Sequence, residues 1–115
     1  MNVLTITSKH VLIDFYGVQY LNSARLEDLL RGAAKAGNAN VLSFHAHPFE
    51  GGGHTAVVLL SESHITVHTW PEQRFAAFDV YMCGDSNPEA SADWLKGCIQ
   101  AEQTQIKILE RGASG

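Results

Sequence analysis

Ser63, His68 and Cys83 are the residues whose types and spacing could do chemistry together. They fall in two short tracts, residues 60–72 (LSESHITVHTWPE) and residues 79–84 (DVYMCG). A serine hydroxyl becomes a nucleophile when a base or a polarised carbonyl activates it. A histidine titrates near neutrality and can be that base. A thiol can return a proton. Glu62 precedes Ser63 and His64 follows it, at what reads as a junction between strands. On spacing alone the three are equally a turn serine, a strand histidine and a strand-end cysteine.

The histidines also raise metal binding. Six are present, four of them between positions 45 and 64. His45 and His47 would share one strand face, as would His64 and His68, and two such pairs could ligate zinc. No third ligand stands at a diagnostic spacing, so no metal is expected. His10, His45, His54 and His64 read as hydrogen-bonded structural residues.

Composition narrows the class. At 115 residues the chain has the length of one domain, 1–115. It is 45% hydrophobic and 17% charged, which excludes intrinsic disorder. Eight Lys plus Arg against twelve Asp plus Glu give a net charge of −4, the wrong sign for a nucleic-acid partner. No apolar run approaches a membrane span, and no charged region followed by an apolar one opens the chain. The expectation is a cytoplasmic protein with Cys83 and Cys98 reduced.

The elements that must position the reactive residues follow from pattern. Residues 10–16 (HVLIDFY), 40–46, 55–60, 64–69, 74–82 and 104–109 read as strands. In 64–69, Ile65 and Val67 fall on one face and His64, Thr66 and His68 on the other. Residues 48–53 (PFEGGG) read as a loop, since three consecutive glycines cannot hold a regular element cheaply. Leu26, Leu29, Leu30, Ala33 and Ala34 recur at helical spacing over 24–36, behind an N-cap at Asn22 or Ser23 and before Gly37. Asn87 caps a second helix with Pro88 first and with Trp94, Leu95, Cys98 and Ile99 as its apolar stripe. The predicted class is α+β, a largely antiparallel sheet with two helices packed on one face. Two helices leave the other face bare, which predicts two copies pairing into an α/β/β/α sandwich.

With Ser61-Glu62-Ser63-His64, His68-Thr69-Trp70-Pro71-Glu72 and Cys83-Gly84 quoted, the chain resembles the small prokaryotic S-adenosylmethionine decarboxylase proenzymes, from Lys9-His10 to Glu110-Arg111-Gly112. These enzymes process themselves and depend on a pyruvoyl group. The resemblance implies that the Ser63 hydroxyl attacks the Glu62 carbonyl, turning the amide into an ester. His68 then removes the α-proton of Ser63, and β-elimination releases Glu62 as a new C-terminus. Residue 63 hydrolyses to a pyruvoyl cofactor, leaving a β chain 1–62 and an α chain 63–115. The pyruvoyl carbonyl then forms a Schiff base with the substrate amine and acts as an electron sink while CO₂ leaves. Cys83 matches the proton donor, Phe49 the residue stacked on adenine and Glu72 the acceptor of the ribose hydroxyls. The resemblance implies a homodimer of processed αβ units, acting in spermidine synthesis.

Some positions depart from the family pattern. Thr55 stands where a serine assists processing; it keeps the hydroxyl, but its methyl restricts the rotamer, so slower processing is expected. Ser8 replaces a glycine. Residues 50–56 (EGGGHTA) replace a loop that contains proline, and Gln73-Arg74-Phe75 replaces a stretch ending Gly-Tyr. The altered loop lies beside Phe49 and opens the substrate question. A basic amino acid, ornithine or arginine, would need a carboxylate for its distal cation, and Glu50 is one. The reading from another class is an unprocessed, non-catalytic homologue. Trp70, at an alternating position next to Pro71, reads equally as a third site aromatic or as core, and Cys98 reads as core on its helical stripe.

Overall fold

The structure is a computed structural model, and it describes residues 7–61 and 63–112. Strands β1 (Ser8–Tyr16), β2 (Val41–Pro48), β3 (His54–Leu60), β4 (Ser63–Trp70), β5 (Phe75–Cys83) and β6 (Gln103–Arg111) form one sheet in the order β2-β3-β4-β5-β1-β6. Every pairing is antiparallel. Helices α1 (Ser23–Ala36) and α2 (Pro88–Cys98) lie together on one face, α1 over β2–β4 and α2 over β1 and β5. The predicted α+β layout is the one observed.

Strand alternation sets the two faces. Val11, Ile13, Phe15, Val58, Ile65, Val67, Phe78 and Val80 point to the helices and are buried. Leu26, Leu29, Leu30, Ala33 and Ala34 of α1 meet them. Burying one such large side chain contributes roughly 1.5–3 kcal/mol. The Asn22 side chain accepts from the amide of Arg25, and that of Asn87 accepts from the amide of Ala90, as the cap assignments require. A methyl at Gly32 would lie 2.1 Å from the Trp94 ring, so glycine there sets the approach of α1 to α2.

The opposite face carries His10, Leu12, Asp14 and Tyr16 of β1, Thr55, Val57 and Leu59 of β3, His64, Thr66, His68 and Trp70 of β4, and Phe75, Ala77, Asp79 and Tyr81 of β5. No helix covers it. Tyr16, Leu59 and Trp70 are 37%, 45% and 46% exposed.

Element ends differ from the sequence expectation where turns are made. β2 runs on to Pro48, which pairs with His54, because the Phe49 amide donates to the Gly53 carbonyl and closes the hairpin there. β2 is an edge strand, where proline is tolerated. β5 begins at Phe75 rather than Arg74, which takes a left-handed conformation (φ 52°) to end a 3₁₀ turn at Pro71–Gln73. β6 is longer than expected, since all of Ser8–Tyr16 finds a partner on it. Among the described residues no helix is long and apolar enough to cross a membrane.

Candidate functional site

Thr55 and His68 face each other across β3 and β4 and meet through Thr55 Oγ1 and His68 Nδ1 at 2.9 Å. If the hydroxyl accepts from Nδ1–H, the imidazole's Nε2 carries a lone pair and is a competent base. The same end of the sheet opens into a cavity of about 410 Å³, lined by Phe49, Glu50, His68, Trp70 and Glu72 among others. Phe49 sits in the β2–β3 turn, edge-on to His47 at 4.7 Å. Glu72 sits in the 3₁₀ turn after β4, and a methyl at Gly51 would lie 3.4 Å from its Oε1. The glycine loop therefore rests against the turn that carries Glu72. Trp70 is half exposed and stacks toward Phe75 at 5.4 Å. It lines the cavity rather than the core, one of the two places the sequence left open for it. The alternation that put His64, Thr66 and His68 on one face already placed Trp70 with them.

His54 is buried beneath this cavity. Its amide donates to Thr69 Oγ1 at 3.0 Å, and its Nε2 meets Ser23 Oγ at 2.8 Å. Its Nδ1 is a buried side-chain atom without a hydrogen-bond partner among the described residues.

Ser63 opens β4 and pairs with Leu60 across a two-residue turn. Glu62 lies outside the described residues, as does any geometry of the bond between Glu62 and Ser63. Cys83 closes β5 opposite Ser8. Next to them His64, Tyr81 and His10 stand abreast on β4, β5 and β1. One oxygen of Asp79 takes His10 Nε2 at 2.5 Å and His64 Nε2 at 3.2 Å, while the Thr66 hydroxyl donates to the other. Three donors on two strands, β1 and β4, thus satisfy one half-buried carboxylate on β5. His10, His64 and Asp79 also form a trio with ligand atoms within 4.8 Å of one another. The sequence pairs His45/His47 and His64/His68 do not supply that grouping. Tyr81 donates to Ser8 Oγ at 3.0 Å, and the Arg111 guanidinium lies 5.1 Å from the Tyr81 ring centre. At the rim, the Glu89 carboxylate hydrogen-bonded to Lys9 raises the Lys9 ammonium above the usual lysine range.

The reactive residues therefore form two groups. Ser63 and His68 are five residues apart on one strand, about 17 Å at ~3.4 Å per residue. His68 is in register with Ala77, six residues before Cys83 on β5, a separation of about 20 Å. One chain brings Phe49, Thr55, His68 and Glu72 together at one end of the sheet, and places Ser63 and Cys83 at the other, at the start of β4 and the end of β5.

Comparison with known proteins gives a consistent picture. A family model described as S-adenosylmethionine decarboxylase matches residues 9–112. The chain is 43% identical over 107 residues to an S-adenosylmethionine decarboxylase proenzyme of Sulfurihydrogenibium sp. (strain YO3AOP1), covering 90% of this chain and 80% of that one. It is 44% identical over 108 residues to the proenzyme of Brevibacillus brevis, covering 90% and 81%. The crystal structure of the adenosylmethionine decarboxylase from Aquifex aeolicus VF5 superposes with a TM-score of 0.87 at 34% identity, over 97% of this chain and 96% of that one.

Proposed function

The chain belongs to the S-adenosylmethionine decarboxylase family, and from that premise we propose that it is a self-processing, pyruvoyl-dependent decarboxylase whose site is completed by a second copy. Its substrate is S-adenosylmethionine, and its product is the decarboxylated aminopropyl donor for spermidine synthesis. The relatives' names carry S-adenosylmethionine, not ornithine or arginine.

The observation that carries the two-copy reading is the separation just described. A base about 17 Å away cannot take a proton. The open face supplies a remedy. Two copies laid open face to open face about a two-fold axis, with strands running in opposite directions, bring the Ser63 end of one over the His68 end of the other. Such an isologous contact repeats itself, so one pairing builds two sites. It also covers Tyr16, Leu59 and Trp70, which one chain leaves in water.

Ser63 suits the cofactor role by position. It is only partly buried and is the first residue of β4, so a chain end formed there lies at the end of a strand. Once formed, the pyruvoyl group supplies an electrophilic carbonyl and an electron sink for decarboxylation. The protein's own residues do the rest. The Ser63 hydroxyl attacks the Glu62 carbonyl, and the partner's Thr55 hydroxyl lies where it can donate to the oxyanion. The partner's His68, with Nδ1 held by Thr55, takes the α-proton of residue 63 through Nε2. General base action of this kind is worth roughly 10²–10⁴-fold. Cys83 returns a proton during turnover. Phe49 and Trp70 offer aromatic faces to the adenine and the sulfonium, and Glu72 accepts the ribose hydroxyls.

The test is CO₂ release from carboxyl-labelled S-adenosylmethionine, ornithine and arginine, beside a denaturing gel. Two fragments ending at Glu62 and starting at residue 63, with release from S-adenosylmethionine alone, are expected. An uncut chain, or release from an amino acid instead, contradicts the proposal.

A further inference from the structure

The loop between β2 and β3 leaves one carboxylate unaccounted for. Glu50 lines the 410 Å³ cavity beside Phe49. It is exposed, and among the described residues no ion pair engages it. Its place is fixed by the turn on either side: the Phe49 amide donates to the Gly53 carbonyl at 2.7 Å, and the Gly52 amide to the Phe49 carbonyl at 3.1 Å. Gly51, at φ 97°, lets the loop lie against Glu72. A side chain there would be strained by the positive φ. The loop thus sets Glu50 and Glu72 around one opening.

The charge of that opening is one-sided. Its lining holds Glu50 and Glu72 and includes neither lysine nor arginine. Two aromatic rings, Phe49 and Trp70, and the His68 imidazole make up much of the remainder. A carboxylate pair beside aromatic faces attracts a cation that is poorly hydrated and cannot donate a hydrogen bond, which describes a sulfonium. Glu72 alone would serve a neutral nucleoside, since its hydrogen bonds go to hydroxyls. Glu50 adds charge without a hydrogen-bonding duty.

We propose that Glu50 is a specificity-determining residue of this pocket, selecting a charged adenosyl sulfonium over the corresponding neutral thioether. The assignment rests on the reading of the cavity as the adenosyl site. The sulfonium charge is present in substrate and product alike and does not change at the reacting carbon. Glu50 therefore contributes uniform binding, which moves KM and leaves kcat alone. Its reach is electrostatic and through water, so salt screens it.

The experiment uses the processed enzyme and its Glu50→Gln variant, both first shown to be cut on a denaturing gel. KM and kcat are measured for S-adenosylmethionine, and the inhibition constant for 5′-methylthioadenosine, a neutral thioether with the same nucleoside. The expected result is a KM about threefold to fivefold higher for E50Q, the range of an exposed ion pair. The kcat and the thioether's inhibition constant stay unchanged, and the KM difference shrinks in 0.5 M salt. An unchanged KM, or an equal loss for the neutral ligand, overturns the role of Glu50. Wild-type enzyme that binds neither adenosyl ligand overturns the adenosyl reading itself, and the role of Glu50 with it.

Discussion

The two ends of the sheet differ in how finished they are. At the Thr55 end, one chain already holds a hydroxyl against an imidazole at 2.9 Å, beside a cavity framed by Phe49, Trp70 and Glu72. At the Ser63 end, one chain holds the proposed nucleophile and the thiol, and the nearby imidazoles of His10 and His64 are both turned to Asp79. On the proposed reading, the first end is binding and proton-transfer machinery without a reactive carbon, and the second is the reactive chain segment without machinery. What the difference teaches, on that reading, is why the proposed functional unit is larger than the chain. A fold whose helices cover one sheet face can place complementary halves on the other and let a two-fold axis join them.

This contrast can be broken most severely at the Ser63 end. Ser63→Ala removes the nucleophile and the source of the cofactor; it is expected to remain a single 115-residue chain with no decarboxylation, as seen by gel and CO₂ release. Cleavage after Glu62 in that variant would sink the proposed chemistry. The next effect should separate the two jobs of that end. For Cys83→Ala we expect normal cleavage and a fall in turnover on the order of 10²-fold, the scale of losing a general acid. Wild-type turnover would remove Cys83 from the reaction.

The Thr55 end should respond more gently, and in rate of processing rather than in chemistry itself. Thr55→Val removes the oxygen that orients His68 while keeping the shape, and should slow cleavage about tenfold in a time course after expression. Thr55→Ser, which restores rotamer freedom, should cleave at least as fast as the natural chain. Equal rates for valine and threonine would show that the 2.9 Å contact has no role. The smallest effect is expected at Trp70, where alanine should raise KM for S-adenosylmethionine several-fold with cleavage intact. A loss of fold instead would return Trp70 to the core.

Much of the fold could be read from the residues. Alternation in β4 showed which face His64, Thr66 and His68 share, and the stripe from Leu26 to Ala34 gave α1 its buried side. The separation of Ser63 from His68 was implicit in the same alternation, because five residues of strand are a fixed length. Proximity in sequence hid it. The Asp79 network was not legible, because it joins β4, β5 and β1, and strand register is set by packing across the sheet rather than by any local motif. Trp70 was legible by its spacing, but a large aromatic next to a proline fits a core as well as a site, and only the cavity lining separates the two. His54 reads as a hydrogen-bonded residue, but only the packing of α1 shows that one of its nitrogens is left without a partner.

The most direct test of the two-copy site mixes two defective chains. Ser63→Ala and His68→Ala variants carrying different tags are produced alone and together, and each chain is followed on a denaturing gel. The account predicts that neither chain is cut when made alone. Made together, the H68A chain is cut, because its intact Ser63 meets the partner's His68, while the S63A chain stays whole. An H68A chain that is cut by itself, or that stays whole in the mixture, would contradict it.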